Sequence, residues 1–249
     1  MIHIPIMKPV IDQGARANIV SLWEFNETSG TTAADAVGSN PGTLVGVPTV
    51  NTPSSMPNIT PCYDFDSSNN DYVSIPDADN LSFTNGSNDL PFSVNLWVNP
   101  ESLDGEGANF INKRNTIDHE WTFLTFTNII VFTLYSEGAT TNRLKATIPS
   151  SFATGNWYMV TATYDGSGSE TGLKIYKNAI LQSTTNSETG TYVKMVNTTS
   201  DVHIGHNGSF LTSSNVAMDG LINQPIVFDK ALTQPEIAYW YKDGNGRAY

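Results

Sequence analysis

Few stretches of this chain carry residues whose types and spacing could do chemistry. Asp118, His119 and Glu120 stand consecutively, a set that could supply an acid and a base, with both carboxylates on one side of a local strand. No third acid accompanies them, and the surrounding NTIDHEW reads as a solvated turn leading into a strand. His203 and His206, three apart in DVHIGHNG, would point to opposite faces of a strand, which argues against a shared metal. The chain has no His-Glu-x-x-His zinc motif, no phosphate-cradling glycine loop and no Gly-x-Ser-x-Gly elbow. Covalent catalysis has no motif to stand on, and a non-enzymatic protein is expected.

Non-covalent binding has better candidates. Sugar recognition uses exposed aromatic rings stacked on pyranose faces, with amides bonding the hydroxyls. Phe210, amid the small polar residues of HNGSFLTSSN and close to Asn207, is the best placed; Trp121 and Tyr135 border other loops, where a core role competes. A hard cation prefers carboxylate and amide oxygens, which DAVGSN offers through Asp35 and Asn40, and DSSNNDY through Asp66, Asn70 and Asp71. The second of these reads first as a polar hairpin tip, since Asn and Asp are natural turn residues.

The elements that must position these residues are strands. At 249 residues the chain fits one large β domain. Twelve Lys and Arg against 24 Asp and Glu give a net charge of −12, which repels phosphate backbones and anionic membranes, so neither nucleic acid nor a membrane surface is an expected partner. The single cysteine, Cys62, beside Tyr63 and Phe65, is expected to be a packed, inert thiol. No run reaches the roughly 20 apolar residues that span a bilayer. The opening MIHIPIMKPVIDQGARANIV, interrupted by Pro5, Lys8 and Pro9, is read as carrying no export signal. Residues 1–18 are expected to form a loose docking arm, and residues 19–249 one domain.

Short alternating runs separated by Gly, Asn, Ser, Asp and Pro begin at Ser21 and predict antiparallel strands. The clearest is Phe92 to Val98, with Phe92, Val94, Leu96 and Val98 on one face. Trp157 to Tyr164 carries apolar groups on both sides and predicts a central strand covered on both faces. LKIYKNAILQS predicts a hairpin turning at Lys177, Asn178 and Ala179, with Ala179 where a positive φ favours Gly. Near the end, Thr233 and Glu236 form a capping box, with Pro235 in the first turn, and predict a helix to about Tyr241.

The succession GNWYMVTATYDGSGSETGLKIYKNAILQST, DVHIGHNGSFL and MDGLINQPIVFDKALTQPEI resembles the closing half of laminin-G-like, concanavalin A-type jelly rolls, the LamG and pentraxin superfamily. LWEFNETSGTTAADAVGSNPGTLVG and YDFDSSNNDYVSIPDADNLSFTNGSNDLPFSVNLWVNP extend the resemblance over roughly Ser21 to Trp240. It implies an all-β fold, a two-sheet antiparallel jelly-roll sandwich with one short C-terminal helix, more often a binding module than an enzyme. The Glu-x-Asp-x-(x)-Glu string of its glycoside hydrolases has no counterpart here, and the acidic, calcium-binding segment of pentraxins is replaced by IGHNGSF. A structural calcium between the N-terminal loop and a late strand is what the resemblance implies, with Asp35, Asn40 and Asp219 as ligands. The function expected is that of a non-enzymatic virion surface protein, a bacteriophage decoration, fibre or tail-associated protein. It would serve adhesion to host-surface glycans or shell stabilisation, as a homo-oligomer among other virion proteins. The alternative is a carbohydrate-binding domain of a bacterial cell-surface or secreted protein.

Overall fold

The computed structural model describes residues 14–56, 58–102, 109–126, 128–136, 141–208 and 217–249. Among them are two antiparallel sheets. The first has eight strands: β1 (Ile19–Leu22), β4 (Thr49–Thr52), β5 (Cys62–Phe65), β7 (Phe92–Pro100), β12 (Tyr158–Tyr164), β13 (Leu173–Lys177), β14 (Ile180–Leu181) and β17 (Gly220–Phe228). Its order is β14-β13-β12-β7-β17-β5-β4, with β1 also on β17. The second has nine: β2 (Thr32–Ala33), β3 (Gly42–Val45), β6 (Tyr72–Ile75), β8 (Asn109–Arg114), β9 (His119–Phe126), β10 (Ile129–Tyr135), β11 (Arg143–Pro149), β15 (Thr185–Thr189) and β16 (Val202–Ile204). Its order is β15-β11-β10-β9-β8-β16-β6-β3-β2. The expected jelly-roll sandwich is what forms.

The main core lies between the sheets. Phe92, Val94, Leu96 and Val98 of β7 meet Trp121 and Phe123 of β9 and Phe132 of β10 there, with Phe92 edge-on to Phe132 at 5.7 Å. The opposite face of β7 is buried too. Trp97 packs with Met159, Ile226 and Phe228 in a second apolar cluster on the outer side of the first sheet. This cluster is roofed by the helix α1 (Gln234–Tyr241), through Ile237 and Trp240, and by Ala15.

Of the arm expected over residues 1–18, residues 14–18 are described, and they pack against the chain's own C-terminal helix. Ala15 is fully buried, its carbonyl accepts from Trp240 Nε1 at 3.0 Å, and Arg16 Nε donates to the Tyr239 hydroxyl at 2.8 Å. The helix begins as its cap predicts: the Thr233 amide donates to Glu236 Oε2 at 2.8 Å, and Lys230 Nζ to Glu236 Oε1 at 2.6 Å. Burial pushes the Glu236 carboxyl up, but the Lys230 and Thr233 donors outweigh it and hold the group below its ordinary range. No helix of the described residues is long and apolar enough to cross a membrane.

Cys62 is buried, and burial, with Asp64 and Glu101 nearby, pushes its thiol up to about 12, so it stays protonated and unreactive at neutral pH. In the β13–β14 hairpin Asn178 and Ala179 have φ of 52° and 60°, a type I′ turn closed by the Lys177–Ile180 pair. An alanine in the left-handed region costs of order 1 kcal/mol relative to glycine. Replacing Ala179 with Gly is expected to raise the melting temperature by about 2–4 °C, as read by circular dichroism.

Candidate functional site

The solvent side of the nine-stranded sheet carries an unusual row. Cross-strand register aligns Thr32 with Thr43, Thr43 with Ser74, Ser74 with His203, and His203 with Asn112. It continues from Asn112 to Thr122, Thr122 to Thr133, Thr133 to Lys145, and Lys145 to Ser187. Each of the nine strands contributes one polar residue to a single line across the sheet. Its middle is buried: His203 is 4 %, Asn112 0 %, Thr122 1 % and Thr133 3 % exposed, whereas Thr32 and Thr43 at one end are exposed.

Buried polar groups in a folded protein nearly always have hydrogen-bond partners. Here several do not. Asn112 Oδ1, His203 Nδ1 and both ring nitrogens of His119 are buried without a hydrogen-bond partner among the described residues. Asn112 spends its Nδ2 on the His206 carbonyl at 2.6 Å, which is what leaves its oxygen unspent. His119 flanks the row. The register slips between Lys113 and Arg114, which sets Glu120 on the Lys113 side at 3.3 Å and leaves His119 stacked near Tyr135, ring centroids 5.0 Å apart. Burial, reinforced by the Arg114 charge, pushes the His119 imidazole down to about 4. It is neutral at physiological pH, with one nitrogen able to donate and the other to accept.

The expected solvated turn at Asp118–Glu120 is therefore corrected: His119 is 2 % and Glu120 0 % exposed, because β9 begins at His119. His203 and His206 also do not diverge. Gly205, with φ of 87°, breaks the alternation, and both imidazoles lie against Tyr72, at 5.6 and 5.2 Å. Of the residues expected to meet a sugar, Tyr135 borders this face and is 8 % exposed. Trp121 is fully buried, donates from Nε1 to the Leu81 carbonyl at 3.1 Å and packs against Phe83 and Phe92, so the competing core role is the one it fills. Asn207 follows His206 and is half-buried; Phe210 lies outside the described residues. Sequence reading missed Asn112, Thr122 and Thr133. The signal open to it was a polar residue between apolar neighbours at Thr122 and Thr133, which alternation alone assigns to a wet face; at Asn112 the following Lys113 breaks that pattern.

Of the residues expected to hold a calcium, Asp35 and Asn40 share one hydrogen-bonded loop. Asp35 Oδ1 accepts from the amides of Leu22, Val37 and Gly38 at 3.0, 3.1 and 2.8 Å, and Oδ2 from that of Asn40 at 3.1 Å. That carboxylate is a clip for its own loop. Asn40 Nδ2 donates to Ser21 Oγ at 2.8 Å. Asp219 instead lines a separate basin of about 280 Å³ with Asp64, Asp66, Asp71 and Glu101. In it, Asp71 accepts from the Val47 and Asp66 amides, and Asp66 caps a short turn at Ser68, as befits the hairpin-tip reading. Among the described residues no three His, Cys, Asp or Glu side chains converge as a metal site.

Mutual repulsion has a cost in the basin. Burial, then Asp219, Asp66 and Asp71, raises the Asp64 carboxyl above its ordinary value, and burial with Asp64 and Asp219 raises Glu101. A carboxyl raised in the folded state stabilises at pH below its unfolded value and loses that contribution as pH rises through its folded value. Asp64→Asn is thus expected to raise the melting temperature at pH 7 by about 1–2 °C, the basin being partly screened by water. The gain should vanish near pH 3 in a melting series, where the wild-type group is protonated.

The family model described as "Concanavalin A-like lectin/glucanases superfamily" matches residues 67–238, more than half of the chain. The chain belongs to this family. Solved structures agree in fold. A receptor-binding domain of botulinum neurotoxin mosaic serotype C/D, described with tetraethylene glycol on its Hcn sub-domain, aligns with a TM-score of 0.65 at 18 % identity, over 91 % of this chain and 51 % of that one. A binding domain of botulinum neurotoxin DC in complex with SialylT aligns with a TM-score of 0.63 at 17 % identity, over 92 % and 52 %. The same domain in complex with rat synaptotagmin II gives 0.62 at 16 %, over 91 % and 51 %. This chain of the lectin/glucanase superfamily spans about half the length of those domains. No curated protein sequence matches it significantly.

Proposed function

We propose that this protein is a non-enzymatic glycan-binding module, with its binding floor on the polar row of the nine-stranded sheet. The observation that carries the reading is the row itself: one uncharged or singly charged polar residue from each strand, with unspent polar atoms on Asn112, His203 and the neighbouring His119. A polyhydroxylated chain offers donors and acceptors at regular intervals and suits such a floor, and Tyr135 adds an aromatic edge. The family description, and a neighbour described in complex with SialylT, support the same class. The finer reading is presentation in many copies on a virion surface, where avidity makes weak single-site binding effective. A net charge of −12 suits such exposure to water.

The test is a glycan array probed with the protein in multimeric form. Saturable, selective signal that is lost in variants of the row supports the proposal; silence across neutral and acidic glycans removes it. Mass spectrometry of purified particles tests the virion setting separately, and the absence of the chain from them would refute that part.

A further inference from the structure

A second pocket, of about 80 Å³, opens beneath a bulge in β17 and is lined by Glu24, Asn26, Asn58, Thr60, Asn223 and Gln224. One water needs roughly 10–15 Å³, so the space accepts a headgroup of a few heavy atoms and not a sugar chain. The bulge falls between Asn223 and Ile226 and holds Gln224 at φ of 49°, a left-handed conformation that a glutamine adopts only when its surroundings impose it. Gln224 is 2 % exposed. Its Nε2 donates to the Arg247 carbonyl at 2.7 Å, which fixes the amide and leaves Oε1 buried without a partner among the described residues.

The other amides of the wall each turn at least one N–H onto the protein itself, and Asn223 turns both. Asn223 Nδ2 bonds the Ile59 and Pro61 carbonyls at 2.9 and 2.7 Å, Asn58 Nδ2 the Asn245 carbonyl at 3.0 Å, and Asn26 Nδ2 the Glu24 carboxylate at 2.9 Å. The wall brings the unpartnered Gln224 oxygen and the Glu24 carboxylate. A ligand that answers both has several N–H donors and a positive charge. We propose that this pocket binds a primary ammonium group, from a small free amine or from a lysine side chain. Anionic headgroups meet the Glu24 carboxylate and are rejected.

The experiment is a calorimetric titration of the whole chain with methylammonium chloride and with Nα-acetyl-lysine amide, against tetramethylammonium chloride at equal ionic strength. Both primary amines are expected to bind saturably. Tetramethylammonium, with the same charge and no N–H, should be weaker by about tenfold or more. Tighter binding of the lysine derivative assigns the pocket to a partner's side chain, and tighter binding of methylammonium assigns it to a free amine. Gln224→Met should weaken the amines about tenfold. Because that change also removes the bond to the Arg247 carbonyl, Glu24→Gln serves as a second variant: a half-buried side chain of the same shape, without the charge, and again about tenfold weaker. Equal affinity for tetramethylammonium, absence of saturable binding by either amine, or indifference of both variants would overturn the proposal and leave the pocket to water.

Discussion

Replacing Lys113 with Ala should cost about 3–5 kcal/mol, lowering the melting temperature by roughly 10 °C. Lys113 is fully buried. Its ammonium pairs with Asp77, lies 3.3 Å from the equally buried Glu120 and donates to the Ser200 carbonyl at 2.7 Å. Glu120 Oε1 in turn accepts from the amide and hydroxyl of Thr198 at 2.8 and 2.9 Å. The ion cluster ties the β8–β9 hairpin to the segments at Asp77 and Ser200, which are far away in sequence. Removing the lysine strands the Glu120 carboxylate in a dry site.

The sign of the pH dependence follows from Glu120. Burial raises its carboxyl above the ordinary value even with Lys113 present, so its protonated form is the one the fold favours at low pH. A raised carboxyl loses its contribution as pH rises through the folded value; without Lys113 that value rises further. The deficit of the variant, read by urea unfolding, should therefore be largest at neutral pH and above, and shrink on acidification. The double variant Lys113→Met with Glu120→Gln should recover much of the loss, since the charge left without its partner, Asp77, is partly exposed to water. Equal deficits at pH 7 and pH 4 would show that packing, not the stranded charge, governs the site.

The second large effect is expected at His119, and its two readouts should move in opposite directions. His119→Phe keeps the ring and its contact with Tyr135 but removes two buried nitrogens that have no hydrogen-bond partner among the described residues. Stability should be unchanged or higher by up to about 1 kcal/mol, since an unsatisfied polar group is exchanged for an apolar one. Glycan affinity should fall by about tenfold or more, because the ring can no longer donate or accept. Since burial holds the imidazole down to about 4, wild-type binding should stay flat from about pH 8 to about pH 5 and decline only as the ring charges. A His119→Phe variant that binds as tightly as wild type would detach His119 from the binding floor.

Much of the fold was legible because the determining patterns are local. The alternation of Phe92 to Val98, the two-sided apolar run at Trp157 to Tyr164 and the Thr233–Glu236 cap each lie within a few residues, and each formed as expected. The candidate floor was not legible, because a row across nine strands joins residues from Thr32 to Ser187, and only cross-strand register brings them into line. That register passes through the slip at Lys113 and Arg114, which no alternation rule anticipates. The same slip turned Glu120 inward and made a buried ion cluster of what reads in sequence as a solvated turn. At His206 a single positive-φ glycine undid the parity argument. The hydrogen bonding of the Asp35 loop was not legible for a different reason: which backbone amides a carboxylate accepts from is fixed only once its loop has folded.

Residues 14–18 and the helix Gln234–Tyr241 cover the outer side of the eight-stranded sheet, whereas the polar row faces away from it on the opposite sheet. A tether joined at either of these segments approaches the sandwich from behind. Whatever carries the protein by that route, the row points outward, and a neighbouring copy anchored in the same way presents its own row in the same direction.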